Sequence, residues 1–239
     1  MWPLLINCLI YKRERLLLHT KLILAVTVLL IVCGSIIILV TEWHNNLDEM
    51  SVPVKIMTAY FQSVTTRTAG FSTVNIGNLT YPCLFLMMVL MFIGASPGSS
   101  GSGIKTSTFG IFIISIWSQL RGRNSVEIFR RSIPKDTVSN ALLLMVLTSM
   151  LISIIGFILL ITQEGDPIHI FFELFSAFGT VGLSTGITTN LTTLGKLIII
   201  IAMFIGRIGP LTLIFAISQT RQHRKNIGYE YPEESVMIG

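Results

Sequence analysis

Two glycine-bearing segments, Thr68–Thr80 and Thr180–Thr192, hold the residues of this chain best suited to chemistry. They agree at seven of thirteen positions when the sequence is shifted by 112 residues along itself, where average residue usage gives about one. The same shift, with no gap, lays Met91-Phe-Ile-Gly94 over Met203-Phe-Ile-Gly206. The repeated residues are Thr, Gly, Ser, Asn and Leu, which supply no nucleophile–base pair and no metal-ligand cluster. They offer backbone instead: carbonyl oxygens that can replace the hydration shell of a cation. Gly70 and Gly182 suit that role, because glycine reaches backbone angles closed to other residues. Two further features stand inside apolar sequence, the run Gly94-Ala-Ser-Pro-Gly-Ser-Ser-Gly-Ser-Gly103 with Lys105 behind it, and Arg207. An arginine at mid-membrane costs roughly 2.5–3.5 kcal/mol even on the lenient insertion scale, so Arg207 needs a partner or water.

The elements that must position these residues are membrane spans. The 239 residues are 51% hydrophobic and only 12% charged, with a mean hydropathy of +0.74, and a soluble domain carries about twice that share of charge. Leu22–Val40, Ala141–Ile161 and, apart from Arg207, Leu197–Ile217 each reach the roughly 20 apolar residues a spanning helix needs. Pro82–Trp117 is too long for one span and is broken by the Gly94–Gly103 run, so it is expected to form two half-helices around an intramembrane loop. Basic residues crowd the linkers on one side: Lys12, Arg13, Arg15 and Lys21; Arg121, Arg123, Arg130, Arg131 and Lys135; Arg221, Arg224 and Lys225. Only Lys55, Arg67 and Lys196 lie on the other side, so the positive-inside rule puts both termini in the cytoplasm. The pI of about 9.3 therefore points to membrane lipid and not to nucleic acid.

Val54–Val64 and Ile168–Phe178 are apolar but too short to cross, as re-entrant helices are. Each begins near a proline, Pro53 or Pro167, which is favoured in a first helical turn. The pattern predicts an all-α polytopic membrane protein of two parallel helix–pore-loop–helix repeats, with four spans and two re-entrant pore helices. Its expected divisions are a cytoplasmic lead over 1–21, a repeat over 22–119, a cytoplasmic linker over 120–138, a second repeat over 139–220 and a cytoplasmic tail over 221–239. Non-helical backbone at membrane depth survives only when buried in protein or lining water. The partly negative C-terminal end of each pore helix, aimed at the loop, favours a cation there.

Thr65-Thr-Arg-Thr-Ala-Gly-Phe71 and Ser176-Ala-Phe-Gly-Thr-Val-Gly-Leu-Ser184 resemble the third and fourth selectivity filters of the Trk/Ktr/HKT potassium transporter superfamily. Gly94–Ser107, Gly206-Arg-Ile-Gly-Pro210 and Tyr231-Pro-Glu-Glu-Ser-Val-Met-Ile-Gly239 resemble the gate loop, last helix and C-terminus of its KtrB-type subunits. The resemblance implies a filter made of Thr66, Arg67, Thr68, Ala69, Gly70 and Phe71 with Gly179, Thr180, Val181, Gly182 and Leu183. Potassium would sit at the backbone carbonyls of Thr68, Ala69, Gly70, Thr180, Val181 and Gly182. It also implies a gate of Gly94, Gly98, Gly101, Gly103, Lys105 and Arg207. Potassium transport, with sodium coupling as an option, a bacterial plasma-membrane location and a cytosolic KtrA-like nucleotide-binding ring are further implications. That family has four repeats around one pore and this chain has two, so it resembles the C-terminal half. Either an N-terminal half or second membrane subunit completes the pore, or the chain is a truncated, non-transporting fragment.

Arg67 is expected to hold its loop through carbonyl hydrogen bonds. Lys105 either lines the cytoplasmic mouth or snorkels toward it. Glu42, Asp48, Glu49, Glu164 and Asp166 are expected to form a solvated acidic outer surface. Gly98-Ser-Ser-Gly-Ser-Gly-Ile-Lys-Thr106 is not a phosphate-binding loop, because Ile104 separates glycine from lysine and no strand precedes it. The chain is expected to be no enzyme and to bind no cofactor.

Overall fold

The computed structural model describes residues 18–99, 101–123, 125–129 and 131–209. The expectations for residues 1–17 and for everything after Gly209, including the rest of the fourth span and the basic tail, lie outside the described residues.

Helix α1 (Leu18–Glu42) and helix α5 (Lys135–Thr162) are long and apolar enough to cross a bilayer. Between and after them come α2 (Val52–Thr65), α3 (Tyr81–Phe92), α4 (Thr106–Leu120), α6 (Pro167–Gly179) and α7 (Thr193–Ile208). A proline stands in the first turn of α2, α3 and α6, where its missing N–H costs nothing. Asp166 caps α6 by accepting from the Ile168 N–H at 3.0 Å, and Thr192 caps α7 by accepting from the Gly195 N–H at 3.2 Å.

The order α1–α2–α3/α4 is repeated as α5–α6–α7, as the duplicated sequence requires. At 1.5 Å per residue, α3 and α4 are about 18 and 22 Å long, each short of the ~30 Å hydrocarbon core. They are two halves of one broken crossing. The chain leaves α3 at Ile93 and returns beside it at Ile104, whose N–H donates to the Phe92 carbonyl at 3.1 Å. The glycine run is thus an excursion that leaves and rejoins the chain beside the end of α3.

The largest buried cluster lies between the repeats. Met87, Met88 and Met91 of α3 pack with Phe172 of α6 and with Val181 and Leu183 of the chain that follows it. Phe92 meets Phe175 edge to face with ring centres 6.0 Å apart, a favoured aromatic geometry. A second cluster joins α5, α6 and α7 through Ile152, Leu159, Ile170, Leu174, Phe178 and Ala202.

Two element boundaries depart from the sequence reading, and a short hairpin adds to it. Helix α5 starts at Lys135, inside the segment assigned to the cytoplasmic linker. That linker also carries a two-residue hairpin, Glu127–Ile128 against Arg131–Ser132, within an otherwise all-α fold. The fourth span starts at Thr193, four residues before its uninterrupted apolar run, because Thr192 supplies the cap. Glu42 is a correction of another kind. It is buried, not solvated, and accepts from the Thr80 N–H and hydroxyl at 2.9 and 2.6 Å and from Asn45 at 2.8 Å.

Candidate functional site

Each pore helix ends by turning its following N–H groups back onto itself. Ala69 and Gly70 donate to the Thr65 carbonyl at 3.1 and 3.3 Å; Thr180 donates to Ala177 at 3.0 Å and Val181 to Ser176 at 2.8 Å. The carbonyls of Thr68, Ala69, Gly70, Thr180, Val181 and Gly182 accept no hydrogen bond among the described residues. Unpaired carbonyls at membrane depth are costly unless water or a cation meets them.

The backbone takes the same unusual course in both repeats. Gly70 and Gly182 have φ of +76° and +95°. Two residues earlier, Thr68 and Thr180 are left-handed as well, at +71° and +50°. A β-branched residue there is an outlier, and such strain, about 1–3 kcal/mol per residue, concentrates at functional sites. A side chain on Gly70 would fall 2.2 Å from the Val181 carbonyl oxygen. The two loops therefore meet backbone to backbone, and Gly182 faces Gly70 across the contact.

Polar side chains not singled out in the sequence brace the strands leaving each loop. Buried Gln62 donates to the Ser72 hydroxyl at 2.8 Å. Buried Glu173 accepts from the hydroxyls of Ser184 and, at 2.7 Å, Thr188. Thr65 accepts from the Phe71 N–H at 2.9 Å. Arg67 donates to the Thr27 carbonyl of α1 at 3.4 Å. This carbonyl bond ties the loop to the neighbouring span. Thr66 is buried and donates to the Ser63 carbonyl at 2.8 Å, and Gly179 packs under the Met91 carbonyl. Phe71 is exposed, while its counterpart Leu183 is buried.

The Gly94–Gly103 loop sits directly against both Thr-x-Gly turns. A side chain on Gly101 would meet Thr68 at 2.7 Å, and the Thr180 hydroxyl donates to the Ser102 hydroxyl at 2.9 Å. Gly94 has no room for a side chain, which would lie 1.9 Å from the Ser102 carbonyl oxygen, and Gly98 and Gly103 take φ of +85° and +77°. Lys105 reaches back along the loop, donating to the carbonyls of Gly101 at 2.5 Å and Ser99 at 3.3 Å. Arg207, in the last turn of α7, is close enough for its charge to act on Lys105. The structure thus brings Gly101 against Thr68 and Ser102 against Thr180, with Lys105 bonded to the same loop.

Comparison with known proteins agrees with this arrangement. The family model TrkH, described as a cation transport protein, matches residues 5–227. The Ktr system potassium uptake protein B of Bacillus subtilis is 44% identical over 225 residues, covering 93% of this chain and 49% of that protein. The potassium/sodium uptake protein NtpJ of Enterococcus hirae is 38% identical over 234 residues, covering 96% and 52%. The crystal structure of the potassium transporter TrkH from Vibrio parahaemolyticus superposes with a TM-score of 0.69 at 18% identity, covering 82% of this chain and 44% of that one, which establishes the fold. The chain spans about half the length of the curated relatives it matches. It is a membrane protein with the all-α transporter fold, is not an enzyme, and belongs to the TrkH family of cation transport proteins.

Proposed function

We propose that this chain supplies two of the four filter strands and the intramembrane gate of a Ktr/Trk-type potassium uptake pathway. The observation that carries this is the pair of left-handed Thr-x-Gly turns, whose carbonyls accept no hydrogen bond among the described residues and meet across Gly70 and Gly182. Potassium is the cation of choice because the matched relatives are named potassium uptake proteins. Weakly hydrated cations also exchange water for carbonyls at least cost. Sodium coupling, a bacterial plasma-membrane location, cytoplasmic termini and a cytosolic nucleotide-binding ring belong to the same proposal, and the chain itself binds no cofactor. Two strands do not surround an ion, so a second set of repeats closes the pore.

Rubidium uptake in a bacterium lacking its own potassium importers tests this. The chain is expressed with and without an N-terminal half taken from a relative. Uptake in a four-repeat assembly, inhibited by potassium, is expected. No uptake in either case, with insertion confirmed, would leave a transport-dead fragment.

A further inference from the structure

We infer that two copies of this chain pair around the pore axis, each presenting to the other the same interface that already joins its own two repeats. The inference rests on the reading that each chain contributes two filter strands.

The internal contact is directional. Repeat 1 offers α3, and repeat 2 offers its pore helix α6 and filter. Because the repeats are copies, α7 should carry an α3-like face, and α2 with its filter an α6-like face. Neither face has a neighbour among the described residues, and several counterparts switch from buried to exposed. Phe172 is 0% exposed and its counterpart Tyr60 is 56% exposed; Leu183 is 3% and Phe71 72%; Met88 is 5% and Ile200 59%. Ile168, packed against the inter-repeat cluster, answers to exposed Ile56, and Met91 and Phe92 answer to exposed Met203 and Phe204.

By contrast, three pairs of pore-helix positions that pack within a repeat stay buried in both: Thr58 and Ile170, Gln62 and Leu174, and Thr66 and Phe178. Among the pairs compared, the switch from buried to exposed falls on the inter-repeat face. Beside Ile56 and Tyr60 an apolar groove of about 220 Å³ opens between α2 and Ile31 and Ile36 of α1, of a size to take an aromatic side chain.

Both repeats insert with the same orientation, so a half-turn about the membrane normal leaves orientation unchanged. It sets α7 of each copy on α2 of the other, twice. Such a two-fold contact closes on itself and makes a ring of four repeats. Both faces needed for closure are carried by this one sequence, which favours a second copy over a different chain.

The internal contact also specifies a distance. The Tyr81 hydroxyl donates to the Asp166 carboxylate at 2.8 Å across the repeats. The counterparts of those two residues are Thr193 and Val54, both exposed, so they should be adjacent between copies. Val54→Cys and Thr193→Cys are placed in differently tagged full-length chains, co-expressed and oxidised in the membrane. A disulfide joining the two tags, at least ten-fold above either single variant with wild type, is expected. Its absence, with insertion confirmed by thiol labelling of both cysteines, would overturn the inference. Phe157→Cys, exposed on α5, replaces Val54→Cys as the negative pair, and equal linkage there would also overturn it. Uptake that needs an added N-terminal half, without the cross-tag disulfide, would sink the pairing and leave the transport reading intact. The disulfide without uptake in any combination would do the reverse.

Discussion

The Thr180 hydroxyl donates to the Ser102 hydroxyl at 2.9 Å, joining the second Thr-x-Gly turn to the Gly94–Gly103 loop across 78 residues of sequence. The loop is held on its other side by Lys105, through the Gly101 carbonyl. Position of the loop and geometry of the filter are therefore set by the same few contacts, and loosening one side should shift the loop.

Ser102→Ala removes that acceptor while leaving the loop's backbone contacts. A neutral hydrogen bond is worth about 1 kcal/mol, or roughly a five-fold change in an equilibrium. If the loop obstructs the path, rubidium uptake by the completed pore should rise by up to that factor, and Ser102→Thr should restore the wild-type rate. Unchanged uptake in Ser102→Ala would show that the bond does not hold the gate.

The two filter glycines should respond differently to alanine. At Gly182 the added carbon has no atom nearer than 3.7 Å and meets only the strain of φ +95°, about 1–2 kcal/mol. At Gly70 it meets the same strain and also strikes the Val181 carbonyl. Gly70→Ala should therefore lower the thermal midpoint and the yield of folded protein more than Gly182→Ala. Equal losses would mean that the contact between the loops is not retained in the membrane.

Glu42 and Gln163 perform the same task in the two repeats. Glu42 accepts from the N–H of Thr80, the cap of α3, and Gln163 from the N–H of Thr192, the cap of α7, each at 2.9 Å. Repeat 2 shows that a carboxamide suffices, so Glu42→Gln should be nearly neutral in thermal stability. Glu42→Ala leaves buried donors unpaired and should cost about 1–3 kcal/mol.

Asp166 carries a small pH dependence. The Tyr81 hydroxyl and the Ile168 N–H both donate to its carboxylate and hold its pKa below the usual carboxylate value. A depressed pKa means stability that is fully present above the unfolded value, near 3.9, and lost as pH falls through the folded one. Asp166→Asn keeps a good cap and should flatten this part of the acid melting profile. A profile identical to wild type would remove the pair from the account.

Much of this was legible in the sequence for identifiable reasons. Short apolar stretches opened by Pro53 and Pro167 marked the pore helices, and the interruption after Phe92 marked the broken crossing. Ser72, Ser184, Thr80 and Thr192 all lay in the repeated segments, but their partners Gln62, Glu173, Glu42 and Gln163 lay outside the matched window, so nothing local announced them. Glu42 looked solvated because a carboxylate near a helix end usually is. The left-handed turns at Thr68 and Thr180 were hidden for a stronger reason: propensity argues against a β-branched residue there, and only the surrounding packing imposes it. The contact of Ser102 with Thr180 depends on how the excursion closes at Ile93 and Ile104, which no local pattern encodes.

The most direct test of a carbonyl-lined cation path is a single change in the filter of an assembled pore. Gly182→Asp is made in the chain under conditions where wild type supports rubidium uptake. Abolished uptake with unchanged membrane insertion and unchanged assembly is the expected result. Uptake at the wild-type rate would contradict the account, because ions would then be crossing by a route that does not include the Thr180–Gly182 turn.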